Sequence, residues 1–496
     1  MKLKRFFCPI ALLLAAGLTV QAQTVTVNSS GGADFTNIQA AINSINPTNG
    51  EPDIIEIQDG ATYNEQIVLG GLPPIEQATI GSFITDLVNQ NRDPLIVRGV
   101  GAKPVIWPDS GNLVAYGVFE NDAGDNFNAG IAFFGDDITL ENVEIRQPDG
   151  NSAYGLNGQA NKITFKEVLF KPTTSDQAED FFNVNNSDGV VTLFGNGGTY
   201  NFEDCVFDGE NENGEKANAK IYFHGISDLS TPMTSVFNFD GCEFKNTNDE
   251  LTRLRARPAS QGSIDINMTN CRFVDNDAKA LYLQGNGVNT IDGCWFENNT
   301  NGADVNQTSD ASTIFVHERD GHSPSLVVKN TVFANNASNN ASANTVDGRY
   351  AVILVQNGND VSGDVTIDHC TFDGNGAAVR FFDPNLRDRK ATITNTIFSN
   401  NVTAGITGDG NDGTNLSYVP DSVEFLDITI TNCLFFSNGL NFDVGADSGT
   451  VTGDPMYVDT DTFALSDGSP ASGAATDGTN IGAVQGGTGV EGFMLY

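Results

Sequence analysis

Apolar and polar residues alternate in short blocks that recur along this chain. The block at 365–375 reads VTIDHCTFDGN. Its variants are ITLENVEIRQ from Ile138, ITFKEVLFKP from Ile163, YNFEDCVFDG from Tyr200, FNFDGCEFKN from Phe237 and DINMTNCRFVDN from Asp265. The series continues with NTIDGCWFENN from Asn289, LVVKNTVFANN from Leu326, ATITNTIFSNN from Ala391 and ITITNCLFFSN from Ile428. Each block has two alternate apolar positions, a polar pair and two more apolar positions. Period two predicts strand, and a one-residue slip at a polar pair predicts a corner between two short strands. Successive closing aromatics lie from 23 residues apart (Phe273 to Phe296) to 39 apart (Phe333 to Phe372). A constant core with inserts of variable length predicts a parallel solenoid, in which no turn buries its apolar face without its neighbours. The expected fold is all-β: a right-handed single-stranded parallel β-helix of about 10–12 coils.

A third strand follows each closing aromatic: AKIYFHG, LRAR, KALYLQG, STIFVHE, AVILVQN, AAVRFFD and TAGITGD. Alternation puts Ile221, Leu254, Leu281, Ile314, Ile353, Val379 and Ala404 inward. One outward row is then Tyr222, Arg255, Tyr282, Phe315, Leu354 and Arg380, and the row beside it is His224, Arg257, Gln284, His317, Gln356 and Phe382. These rows are expected to face solvent. Aromatics on a solenoid surface also stack for packing alone.

Residues 1–22 read as a secretory signal: Lys2, Lys4 and Arg5, then the apolar run 6–20, then Val20-Gln21-Ala22 as a small-residue cleavage site. The run is short for a membrane span and no other stretch approaches one. Localisation is therefore expected to be secreted, cell-surface or periplasmic. Removing the three basic signal residues takes the formal charge from −38 to −41, which opposes nucleic acid and anionic membranes. Six cysteines would remain: Cys205, Cys242, Cys271, Cys294, Cys370 and Cys433, each two residues before its closing Phe. One inward column with parallel Cβ vectors is poor disulfide geometry, so a free, buried ladder is expected.

At the head, TVTVNSSGGADFTNIQAAINSINP predicts a strand, a glycine turn and a helix. Asp34 or Thr36 is the expected cap, with Ile38, Ala41, Ile42 and Ile45 on the inner face of a helix that covers the open N-terminal end. The segment 72–93 reads as a helical insert. GADF at 32–35, IQAA at 38–41, GATY at 60–63 and IVRG at 96–99 resemble the opening of pectin methylesterases and of other pectin-lyase-like β-helix proteins. The resemblance spans about 85 residues and implies the fold more than a chemistry. GVVTLFGNGG at 189–198 resembles the esterase segment that carries a catalytic aspartate, but Thr192 occupies that aspartate's position. Residues 453–485 are similar to the closing segment of many bacterial β-helix proteins and are expected to cover the C-terminal end. The chain thus reads as a signal (1–22), one β-helix domain (23–485, with cap and first coils at 23–106) and a tail (486–496).

Arginines, histidines and aromatics on one strand face of an acidic chain suit an anionic sugar polymer. Aromatic faces stack on sugar rings, and guanidinium groups hold carboxylates in pairs of hydrogen bonds. β-Elimination from a uronate needs a base for the proton beside the carboxylate and a cation to neutralise that carboxylate. The candidate catalytic residues are Arg255, Arg257, His317, Arg380 and Tyr282. Candidate substrate contacts are Tyr222, His224, Gln284, Phe315, Arg319, Gln356 and Phe382. Asp409, Asn411 and Asp412 form a candidate calcium loop, for which a plain acidic turn is the other reading. The expected partner is an acidic polysaccharide met by a monomer, with no nucleic acid and no membrane span. Two alternatives stay open: a non-catalytic surface, matrix or adhesin-like solenoid, and a glycoside or ester hydrolase on the same fold.

Overall fold

The structure is a computed structural model. It describes residues 22–45, 50–69, 93–109, 128–147, 153–172, 182–184, 198–216, 221–224, 233–247, 252–255, 262–277, 280–300, 312–317, 323–337, 351–356, 363–383, 389–410 and 426–483. The recurrent block folds as the alternation requires. Its first half is a strand, as at Val365–Asp368, and its second half is a shorter strand, as at Thr371–Asp373. Every ladder that joins one coil to the next is parallel and in register: Leu326 pairs with Val365, which pairs with Ala391, which pairs with Ile428. The result is a right-handed parallel β-helix with three faces. Long strands Asn128–Glu141 and Ala153–Lys166 run continuously from the third face into the first. The second face is a sheet of 13 strands. Ten of these strands belong to the recurrent blocks, and Thr62–Tyr63, Val105–Ile106 and Val451–Thr452 lie outside them.

The polar pair makes the corner between first and second faces. Its second member adopts positive φ in each case: Asn142, Glu167, Asp204, Gly241, Asn270, Gly293, Asn330, His369, Asn395 and Asn432. Left-handed backbone favours glycine and asparagine, which explains the composition of that position. Inside the corner runs a column of Val143, Val168, Cys205, Cys242, Cys271, Cys294, Thr331, Cys370, Thr396 and Cys433, joined by backbone hydrogen bonds such as Trp295 N to Cys271 O and Val332 N to Cys294 O. All six cysteines are free and buried. Burial pushes the Cys433 thiol up to about 12, so it packs as a small apolar group. Beside this column the closing aromatics stack: Phe244 on Phe273 at 4.5 Å and Phe273 on Phe296 at 4.4 Å, with ring planes within 2°. The ring spacing is set by the ~4.8 Å step between strands.

A second buried ladder was not anticipated. Asn276, Asn299, Asn336, Asn375, Asn401 and Asn438 stand one behind another where the second face ends. Each amide donates to the next asparagine and to the carbonyl of a closing Phe, as Asn336 does to Asn375 (3.0 Å) and to Phe296 O (3.0 Å). An asparagine three residues after each closing Phe from Phe273 to Phe435 was the available signal.

Both ends depart from expectation in detail. The helix Ile38–Ser44 covers the first coil with Ile38, Ala41 and Ile42, as expected, but its cap is Asn37, whose Oδ1 accepts from Ala40 N at 2.7 Å. Asp34 instead accepts from Thr26 N and Oγ1. Glu65, from the adjoining coil, accepts from the first two helical amides, Ile38 N and Gln39 N. The insert at 72–93 lies outside the described residues apart from Asp93.

At the other end, 453–483 turns back along the outside of the second face. Ala471, Ala475 and Ile481 pack on Ile397 and Leu434, while Phe463 packs on Val332, Ala334 and Trp295. Gly482 N donates to Asn395 O (2.8 Å) and Ala483 N to Thr371 Oγ1 (3.0 Å). The second face is apolar there (Trp295, Val332, Ile397, Leu434) and charged in earlier coils (Glu144, Arg146, Glu243, Lys245, Arg272). The tail therefore covers the half that most needs cover.

Candidate functional site

The third face is built from Ile221–His224, Thr252–Arg255, Leu281–Gln284, Ser312–His317, Ala351–Gln356, Ala377–Asp383 and Ala404–Gly410. The expected alternation holds, but two coils sit two residues out of the expected register. Leu254 pairs with Phe223 and Leu283, not Ile221, and Val379 pairs with Ile406, not Ala404. A shift of two keeps each side chain on its side of the sheet, which is why the pattern alone did not reveal it. One outward row is therefore Tyr222, Arg253, Tyr282, Phe315, Leu354, Arg380 and Thr407. Arg253 takes the place expected for Arg255. Arg255 moves to the neighbouring row, beside His224 and Gln284, and that row continues with His317, Gln356, Phe382 and Asp409. Arg257, Arg319, Asn411 and Asp412 lie outside the described residues. For Tyr222, His224, Arg253, Arg255, Gln284, Gln356, Phe382 and Asp409 the strand position is described and the side chain is not.

From Tyr282 to Thr407 the first row points outward but does not face solvent. Tyr282, Phe315 and Leu354 form a separate apolar cluster with Ala351 and Ala377. Phe315 is 1% exposed and Arg380 2%. The expectation of an open aromatic shelf is corrected: outward from the coil is not the same as exposed. His317, in the second row, is only partly buried.

Three side chains meet here. The Tyr282 hydroxyl and His317 Nδ1 are 2.5 Å apart, within hydrogen-bonding distance. Phe315 stacks on both: its ring centroid is 5.2 Å from Tyr282 and 4.7 Å from His317. Alternate residues of one strand, Phe315 and His317, thus hold the imidazole against a phenol from the preceding coil. An imidazole fixed through one nitrogen presents the other in a set direction, the arrangement general acid–base chemistry uses.

A second polar group lies at the far end of the row. Asp443, which the sequence reading did not single out, accepts from Thr407 Oγ1 (3.0 Å) and Gly408 N (3.0 Å). Burial pushes its carboxyl up, and the two hydrogen bonds and the charge of Arg380 offset part of that rise. Among the described residues no group of three His, Cys, Asp or Glu side chains is placed to hold a metal ion. Asp137 forms an ion pair with Lys162 of the next coil. Among the described residues, no helix is long and apolar enough to cross a membrane.

Neither a protein-family model nor a curated protein sequence matches this chain. Several solved structures do. A pectate lyase, Pel9A, is 13% identical over 94% of this chain and 97% of its own, with a TM-score of 0.39. The catalytic domain of an α-1,3-glucanase is 14% identical over 86% of this chain and 69% of its own, with a TM-score of 0.37. The pectin methylesterase PemA from Erwinia chrysanthemi is 13% identical over 91% of this chain and 99% of its own, with a TM-score of 0.26. The likeness is one of architecture.

Proposed function

We propose that this is an exported β-helix protein that binds an acidic, uronate-containing polysaccharide on its third face and cleaves it by β-elimination. The hydrogen-bonded Tyr282–His317 pair, seated on Phe315 in the same outward rows as Arg380, carries this reading. With Nδ1–H directed to the phenol oxygen, His317 Nε2 is the base that takes the proton beside the uronate carboxylate. The electron pair forms the new double bond, the glycosidic C–O bond breaks, and the Tyr282 O–H protonates the leaving oxygen. Arg380 is two coils from Phe315, about 10 Å at the usual strand spacing. In this reading it serves the carboxylate of a neighbouring sugar once the row is opened, not that of the reacting one. The cation at the reacting carboxylate is assigned to substrate-bound calcium or to an arginine of the adjoining loops, with Arg319 the sequence candidate.

The test is ultraviolet absorbance of the unsaturated product from pectate, alginate and chondroitin sulfate, with and without calcium. Product from one polymer that disappears in His317→Ala supports the reading. Absence of both product and binding on every polymer overturns it. That outcome favours the second reading, a non-catalytic surface solenoid, which the burial of Phe315 and Leu354 supports.

A further inference from the structure

His369 occupies a corner position where its neighbours in the stack carry asparagine: Asn330 in the preceding coil and Asn395 in the following one, all three at positive φ. Left-handed backbone accepts histidine as it accepts asparagine, so the corner geometry does not by itself select the imidazole. Its surroundings do. The ring is buried between its own corner and the returning tail. Nδ1 lies 3.1 Å from Asp368 Oδ1, and Nε2 lies 3.1 Å from Thr479 Oγ1 and 3.7 Å from Asp477 Oδ2. The next coil adds Asn395, which accepts from Thr476 N and donates to Thr476 Oγ1 and Asp368 Oδ1.

We propose that His369 is a proton-operated latch that fixes the tail segment 471–483 onto the second face. The charged groups around the ring are Asp368 on its own corner and Asp477 on the tail. Lys329 is the strand partner of Asp368 in the preceding coil, and the flanking corner residues Asn330 and Asn395 are neutral. A protonated imidazole bridges two carboxylates on two different segments. A neutral one keeps a single ring nitrogen as donor and loses the charge on both contacts. Histidine ordinarily titrates between about pH 5 and 8. Hydrogen bonds to Thr479 hold the Asp477 carboxyl below its ordinary range; burial would raise Asp368, and bonds from Thr394, Asn395 and His369 outweigh it. Both carboxylates therefore stay ionised while the imidazole gains its proton. The latch is closed when the imidazole carries its proton and both carboxylates are ionised.

This inference is independent of the polysaccharide reading, and hydrogen exchange of the full chain tests it. The reporters are the tail amides of Thr476, Ile481 and Gly482, and the reference amides are those of Ile397 and Leu434 in the coils beneath. After correction for intrinsic rates, opening of the tail is expected to be about three- to ten-fold rarer at pH 5.5 than at pH 8. His369→Asn, which installs the residue its neighbours use, is expected to bring that ratio to about one with the reference amides unchanged. A ratio near one in the wild type, or an undiminished ratio in His369→Asn, overturns the latch. Should His369→Asn disturb the coil amides, Asp477→Asn decides, because the latch requires a smaller ratio in that variant too.

Discussion

Two outward rows of this solenoid are buried, and they differ in what they bury. The seam on the second face covers Val332, Ala334, Ile397 and Leu434 with Phe463, Ala471, Ala475 and Ile481 from the chain's own tail. Its polar contacts are backbone amides, hydroxyls and asparagines, together with His369 set between Asp368 and Asp477 at one corner. The row on the third face buries Tyr282, Phe315 and Leu354 as well, but it also holds Arg380, and His317 and Asp443 adjoin it. Withdrawing ionisable groups from water is costly, and apolar residues of similar volume often serve stability as well or better. The seam gathers its ionisable groups at one corner, where His369 lies between Asp368 and Asp477, and is apolar over Val332, Ile397 and Leu434. On the third face Arg380 is buried within the apolar row itself, and the proposed function gives it a use there.

The contrast is broken most directly by Tyr282→Phe. It keeps the ring stack and deletes only the hydroxyl, so product formation should fall by about 10²- to 10⁴-fold. Thermal unfolding should move little, since one hydrogen bond contributes only about 1 kcal/mol net. A variant that loses stability and keeps activity would make the row a second seam. In the seam proper, Phe463→Ala should cost about 3–5 kcal/mol in denaturant unfolding with no effect on polymer binding. Arg380→Met separates the two regions again. It should weaken uronate binding and lower stability, because it withdraws a positive charge from Asp443, whereas Arg380→Met with Asp443→Asn should recover stability and not binding. Unchanged uronate binding in Arg380→Met would make Arg380 a structural residue alone.

Two carboxyls sharpen the comparison through opposite pH dependence. Asp368, beside the seam, is held below the ordinary carboxylate range, where its hydrogen bonds outweigh burial. Its stabilisation is present above that range and lost as pH falls through the lowered value. Asp368→Asn should therefore destabilise at pH 7, with the gap closing in acid. Asp443, beside the third-face row, is raised by burial. Its contribution is present below the ordinary carboxylate range and lost as pH rises through the raised value. Asp443→Asn should stabilise at pH 7, again with the gap closing in acid. Urea midpoints measured across pH 3–7 read both signs, and these are the smallest effects of the set.

Much of the scaffold was legible without coordinates. The alternation, the slip at the polar pair and the position of each cysteine two residues before its Phe depend on local backbone geometry repeated turn after turn. A repeat read once is read throughout. The site was less legible. Leu254 and Ile406 satisfy the same alternation two residues apart, so parity fixed which side of the sheet each residue takes and left the register open. The burial of Phe315, the approach of Asp443 to Thr407 and the path of 453–483 over Ile397 depend on what packs against the outside of a coil. They join segments far apart in number: His369 meets Thr479, and Ala483 meets Thr371.

The sequence by itself determined the repeating unit, its corner and its inward columns, because these follow from which residues tolerate a strand, a left-handed turn or burial. Only the tertiary structure decided how neighbouring coils align and which outward rows are covered. The physical reason is that alternation is a property of a single strand, whereas register and cover are set by loops of unequal length and by a tail that folds back across many coils.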